Sequence, residues 1–149
     1  MDLSHEIDYI QWLFGSFRSV KSIGGKISPL EIESEDFTAI LGETEQGVFT
    51  TVSLDYISRI PIRRIYANAD DVTCICDLIE GTMRLRHSNS SAEEVYQPQV
   101  DRNGTYADMH RDILMQGGKS ACTFREGLAI MTTIGKIRLS MEDSSDDQG

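Results

Sequence analysis

A chain of 149 residues with 24 acidic against 14 basic side chains carries a formal charge of −10. That balance excludes a nucleic-acid partner, which requires clustered Lys and Arg. With 40% apolar and 26% charged residues, the composition is that of an ordinary globular domain able to bury roughly 70% of its unfolded surface. No apolar run approaches the ~20 residues of a membrane helix. Three cysteines, Cys74, Cys76 and Cys122, in a chain without a signal peptide point to the reduced cytoplasm, where the sequons Asn89-Ser90-Ser91 and Asn103-Gly104-Thr105 are chance matches.

The first predicted element is a helix that Gly15 ends. At a period of 3.6, Leu3, Ile7, Ile10 and Phe14 make one apolar stripe, while Asp2, His5, Tyr9 and Trp12 line a neighbouring one. Phe17 to Ile27 reads as a strand weakened by Gly24 and Gly25, and Ser28-Pro29 as a turn. Asp36 to Gly42 and Val48 to Ile57 form a hairpin supported by β-branched and aromatic residues. Strands at Ile60–Asn68, Val72–Ile79 and Thr82–Arg86 follow through short turns, so they pair antiparallel. Cys74 and Cys76, two apart, share one sheet face and read as small packed side chains rather than a strained local disulfide.

A short edge strand is expected at Glu93–Tyr96, then a helix from Tyr106 to Met115 stopped by Gly117-Gly118. The last helix opens on a capping box of Thr123 and Glu126, with Leu128, Met131, Ile134 and Ile137 as its buried face beside Ala129 and Ile130. Residues 141–149, acidic and without apolar period, read as a disordered tail. The expected fold is α+β: one largely antiparallel sheet with helices packed on one face, a single domain over residues 1–140. Phe49, Thr51, Ile62 and Tyr66 fall on the uncovered face of that sheet, which calls for a second copy to bury them.

A dinucleotide-binding half needs a strand, a glycine-rich turn and a helix, with an acidic residue about 20 positions on. No G-x-G-x-x-G occurs, and Gly24-Gly25 and Gly117-Gly118 lack the spacing, so no cofactor-binding residue is assigned. His87 and His110 have no partner at zinc-like spacing, so no metal is expected.

The opening run Asp2-Leu3-Ser4-His5-Glu6-Ile7-Asp8-Tyr9-Ile10-Gln11-Trp12-Leu13-Phe14-Gly15 resembles a stretch of the Gfo/Idh/MocA family of NAD(P)-dependent oxidoreductases. There it follows the nucleotide-binding domain and carries a catalytic His. The order of the later segments, from Leu30–Asp36 through Gly47–Tyr56 and Arg59–Ile65 to Thr123–Gly127, is similar to that family as far as Leu139. The family's Glu-Lys-Pro motif is missing, and its catalytic Asp stands four residues before the His, where this chain has Met1 and places Asp2 three before.

The resemblance implies the family's C-terminal fold, like that of the C-terminal domain of glyceraldehyde-3-phosphate dehydrogenase. It implies a substrate-binding and oligomerisation domain that is inactive without its Rossmann half, NAD or NADP as cofactor of the whole enzyme, and a sugar, cyclitol or nucleotide-sugar substrate. His5 is then the catalytic base, suited to that role by a pKa near neutrality. Asp2 supports it, or simply caps the helix. Tyr9, Trp12, Tyr56, Arg59 and Arg63 are the candidate substrate contacts, Arg being the side chain suited to bidentate oxyanion recognition. A stand-alone sugar-binding or assembly module derived from the family is the alternative.

Overall fold

The computed structural model describes residues 4–99 and 101–146. Its elements are α1 (Ser4–Phe14), β1 (Phe17–Gly25), β2 (Phe37–Thr44), β3 (Phe49–Asp55), β4 (Arg64–Asn68), β5 (Val72–Asp77), β6 (Thr82–His87), β7 (Glu93–Tyr96), α2 (Arg102–Met115) and α3 (Phe124–Asp146). They fall into two compact units, Met1–Ser58 with Cys122–Gly149, and Arg59–Ala121. The fold is α+β and its sheets are antiparallel as expected, but there are two of them, β1-β2-β3 and β4-β5-β6-β7. No helix among the described residues is long and apolar enough to cross a membrane.

In the first unit, the register aligns Ser22, Ile40 and Val52 in one cross-strand row and Gly24, Thr38 and Leu54 in the next. These rows share one face, and α3 packs on that side. Ile40 belongs to a buried cluster with Ile130, Ile134 and Ile137 of α3, Ile7 and Ile10 of α1, and Phe17. Strict alternation would turn Phe17 outward with Ser19 and Lys21, but a bulge between Phe17 and Ser19 flips it inward. Gly42 makes room for it, since a Cβ there would overlap the Phe17 ring. Polar bonds fix α3 further: Ser22 Oγ donates to the Ile137 carbonyl at 2.6 Å, and the Ser22 N–H to Ser140 Oγ at 3.2 Å.

The capping box at the start of α3 forms as expected, the Thr123 N–H donating to Glu126 Oε2 at 2.6 Å and the Glu126 N–H to Thr123 Oγ1 at 3.3 Å. The buried face of the helix differs in part from the expected one. Leu128 and Met131 are 57% and 59% exposed, and Ala129 is also exposed, while Ile130, Thr133, Ile134 and Ile137 are buried. The helix also runs on through Asp146, six residues into the segment read as a disordered tail. Met141 supplies the reason, because it packs against the core cluster and extends the inward stripe by one more turn.

The second unit is a four-stranded meander with α2. β4 begins at Arg64 rather than Ile60, because Pro61 has no N–H to give to a ladder. Arg64 and Asp77 face each other in the β4–β5 register and pair at 2.7 Å. β7 spans Glu93–Tyr96 as read from the sequence. α2 starts four residues earlier than Tyr106, where the Asp101 side chain caps it by accepting from the N–H groups of Asn103 and Gly104. The residues expected to share one uncovered sheet face do not: Phe49 and Thr51 lie on β3 of the first unit, Tyr66 lies on β4 of the second, and Ile62 lies in no strand.

Candidate functional site

α1 carries the site residues that the sequence analysis singled out, and its packing decides what it presents. Ile7 and Ile10 are buried against α3, and Thr133 Oγ1 of α3 donates to Gln11 Oε1 at 3.0 Å. With these positions turned inward, a 100° step per residue places His5 and Trp12 on the opposite side. His5 is exposed, Trp12 is 80% exposed, and Tyr9 is partly buried with its ring against the core. Gly15, at φ +80°, ends the helix by donating its N–H to the Gln11 carbonyl at 2.9 Å. His5 and Trp12 therefore stand exposed on a helix whose far side is locked, while Tyr9 packs against the core. Asp2 lies outside the described residues, and with it the Asp2–His5 pair.

The electrostatics of this end of the unit are acidic. Burial first, then the charges of Asp8 and Glu126, push the Cys122 thiol up, which places both carboxylates near the junction of α1 and α3. Glu126 itself is held below the usual carboxylate range by its bonds from Thr123.

The other candidates are not brought onto this face. Tyr56 is half-exposed just after β3, and its N–H donates to the Asp36 carbonyl at 3.0 Å. Arg59 and Arg63 are exposed and belong to the second unit. Arg63 borders an open hollow with Leu78, Glu80, Gln97, Gln99 and Thr105. Arg64 is committed to Asp77.

The double glycines also find their places. Gly24 and Gly25 close β1, and Gly117 and Gly118 follow the C-terminus of α2, where the Gly118 N–H bonds back to the Asp112 carbonyl at 3.0 Å. A pyrophosphate is held by the N–H groups at a helix N-terminus, and a helix C-terminus presents carbonyls instead. Sequence reasoning missed Gln11, which fixes the rotation of α1. Its partner, Thr133, is 122 residues away, and no local signal announces it.

No family model and no curated protein sequence matches this chain. Solved structures do. The chain superposes on UDP-N-acetylglucosamine 3-dehydrogenase GnnA from Acidithiobacillus ferrooxidans with a TM-score of 0.81 at 15% identity, over 95% of this chain and 46% of that one. An NAD binding oxidoreductase from Klebsiella pneumoniae gives 0.80 at 14% identity, over 95% and 47%. The WlbA dehydrogenase from Bordetella pertussis, solved in complex with NADH and UDP-GlcNAcA, gives 0.69 at 16% identity, over 95% and 44%. The chain thus spans less than half the length of each of these structures. These neighbours are Gfo/Idh/MocA-type NAD-dependent oxidoreductases, the family that the opening run resembles, and the chain has the α+β fold found in part of them. At such identities the likeness is one of fold.

Proposed function

We propose that this chain is the substrate-binding and oligomerisation domain of an NAD(P)-dependent oxidoreductase acting on a hydroxyl of a sugar, cyclitol or nucleotide-sugar. The observation that carries the reading is the match of 95% of this chain to under half of a nucleotide-sugar dehydrogenase. The exposure of His5 and Trp12 on a helix locked by Ile7, Ile10 and Gln11 supports it.

In the proposed reaction His5 takes the hydroxyl proton of the substrate while the carbon bearing that hydroxyl gives up its hydrogen as hydride. The nicotinamide, when bound, accepts that hydride on a dinucleotide-binding half of the enzyme. Imidazole exchanges protons near neutrality, so it serves both directions of such a reaction. Asp2 is proposed to orient His5. Trp12 offers an apolar face to a sugar ring, and Tyr9 and Tyr56 offer phenol hydroxyls. Without a dinucleotide-binding half, this chain transfers no hydride.

Trp12 is the only tryptophan and stands about two turns from His5 on the same side of α1, so its fluorescence reports on that face. Titration with UDP-N-acetylglucosamine is expected to quench it saturably, and His5→Ala to weaken that binding. NADH and NADPH are expected to leave it unchanged at millimolar concentration. Saturable dinucleotide binding without nucleotide-sugar binding overturns the assignment.

A further inference from the structure

The second sheet holds a cluster of sulfur that the proposed oxidoreductase role does not use. Cys74 and Cys76 stand two residues apart on β5 and so share a face, with their Sγ atoms 3.7 Å apart. Two thiolates bound at about 2.3 Å to one tetrahedral cation are separated by about 3.8 Å. The pair already has the spacing of a chelating dithiolate. A disulfide demands much more of the strand: it needs Cβ atoms about 3.8 Å apart, whereas residues two apart on an extended strand sit roughly 6.7 Å apart.

A third sulfur lies beside them. Met83 on β6 is the direct cross-strand partner of Cys76, and directly opposed residues point to the same face with Cβ atoms about 4.5–5.5 Å apart. Leu85 and Ala67 flank Cys74 and Ile65 flanks Cys76 on its other side, while Tyr96 stands opposite Met83, and Glu94 and His87 share the face beyond Leu85. The two cysteines, Met83, Leu85, Ala67 and Ile65 are half-buried, so the face is partly dry yet open to a small ion. Among the described residues no group of three or more His, Cys, Asp and Glu stands together to hold a metal, so a set built on the two thiols needs the Met83 thioether to complete it. Thiolate and thioether donors without oxygen select a soft, closed-shell cation.

We propose that Cys74, Cys76 and Met83 form a binding site for a soft thiophilic cation of the copper(I) class on one face of the second sheet. Two sulfur–metal bonds form at the cysteines as two S–H bonds break, and both protons leave to solvent. The Met83 thioether donates a lone pair and releases nothing. Burial and the bond to Cys74 raise the Cys76 thiol, so binding there displaces a proton. This site stands on the second unit alone and is independent of the function proposed above.

The test is an anaerobic titration of the reduced chain with copper(I) in competition with a chromophoric copper(I) chelator. One equivalent is expected to be withdrawn from the chelator. Cys74→Ser and Cys76→Ser should each lose this withdrawal, Met83→Leu should weaken it, and Cys122→Ser should leave it unchanged. Alkylation of the unsubstituted chain, read by mass spectrometry, provides a measurement that needs no variant. Bound copper(I) should protect Cys74 and Cys76 while the exposed Cys122 reacts. No withdrawal by the unsubstituted chain, retention of full affinity in folded Cys74→Ser or Cys76→Ser, or equal alkylation of all three cysteines overturns the proposal.

Discussion

Asp36 is the residue whose environment departs furthest from what its neighbours suggest. It follows Glu31, Glu33 and Glu35, an acidic stretch that reads as solvated, yet it is 0% exposed. Burial opposes its charge. The N–H groups of Ile27 and Ser28 at 2.7 and 3.0 Å, the Ser28 hydroxyl, and Lys26 Nζ at 3.3 Å outweigh that and hold the carboxyl far below the usual range. A group with a depressed folded pKa contributes stability that is fully present above its unfolded value, near ~3.9, and lost as pH falls through the folded one. Thermal melts of the chain should therefore be flat in this respect at neutral pH and fall below about pH 4. Asp36→Asn should melt lower at pH 7, with a gap to the parent that narrows towards pH 3. A gap independent of pH would remove Asp36 from the acid transition. Gly42→Ala is a second test at this scale. The new Cβ meets the buried Phe17 ring, and overpacking of this kind costs about 1–3 kcal/mol; denaturant unfolding that leaves stability unchanged would contradict the packing. The apolar side of α1 was legible because a 3.6 period is local. Asp36 was not, because its partners stand at the far end of the eleven-residue loop 26–36, whose path no pattern specifies.

Among elements, α3 shows how far periodicity reaches. Its start was legible, since Thr123 and Glu126 form a capping box wherever a helix begins. Its inward face was legible in part: Ile130, Ile134 and Ile137 are buried as read, but Leu128 and Met131 are exposed, because they are spaced as well along the helix and only the sheet beneath chooses between the two stripes. Ser22, more than a hundred residues away, anchors that choice through Ile137 and Ser140. Ile137 is fully buried, so Ile137→Ala should cost about 2–5 kcal/mol, measured by urea unfolding, while Met131→Ala on the exposed side should change stability by less than about 0.5 kcal/mol. Removing residues 141–149 offers a sharper contrast. As a solvated tail the segment would be dispensable. With Met141 packed on the core and its Sδ 2.9 Å from where a Cβ of Gly24 would stand, its removal should lower the melting temperature measurably. Equal melting of the two chains would return the segment to the role read from its composition.

At the scale of the whole molecule, antiparallel pairing was legible where hairpins close over short turns, as at Glu43–Phe49 and Asp77–Thr82, whereas β1 and β2 pair across the longer loop 26–36. The division into two sheets was not, because it depends on which strand edges remain unpaired, and that is decided by contacts remote in sequence. Candidate site residues fared alike: His5 and Trp12 share a side because one helix holds them, while Arg59 and Arg63 fall in the other unit. The first sheet also leaves a face unmatched. α3 covers the side bearing Ile40, whereas Ile23 and Leu41 are each more than 60% exposed and Phe49 is 82% exposed. The register places them in adjoining rows, Ile23 opposite Ala39 and Leu41 between Lys21 and Thr51, with Phe49 opposite Glu43. Exposed apolar side chains set among Lys21, Glu43 and Thr51 suit a contact with another protein across a two-fold axis. A second copy of this chain is the occupant proposed, as oligomerisation through the sheet requires. Size-exclusion chromatography with light scattering should give the mass of a dimer, and Leu41→Glu, which places a charge in the middle of the patch without touching the core, should give a folded monomer. A monomer for the unsubstituted chain would sink the proposal, and a dimer that survives Leu41→Glu would move the interface to another face.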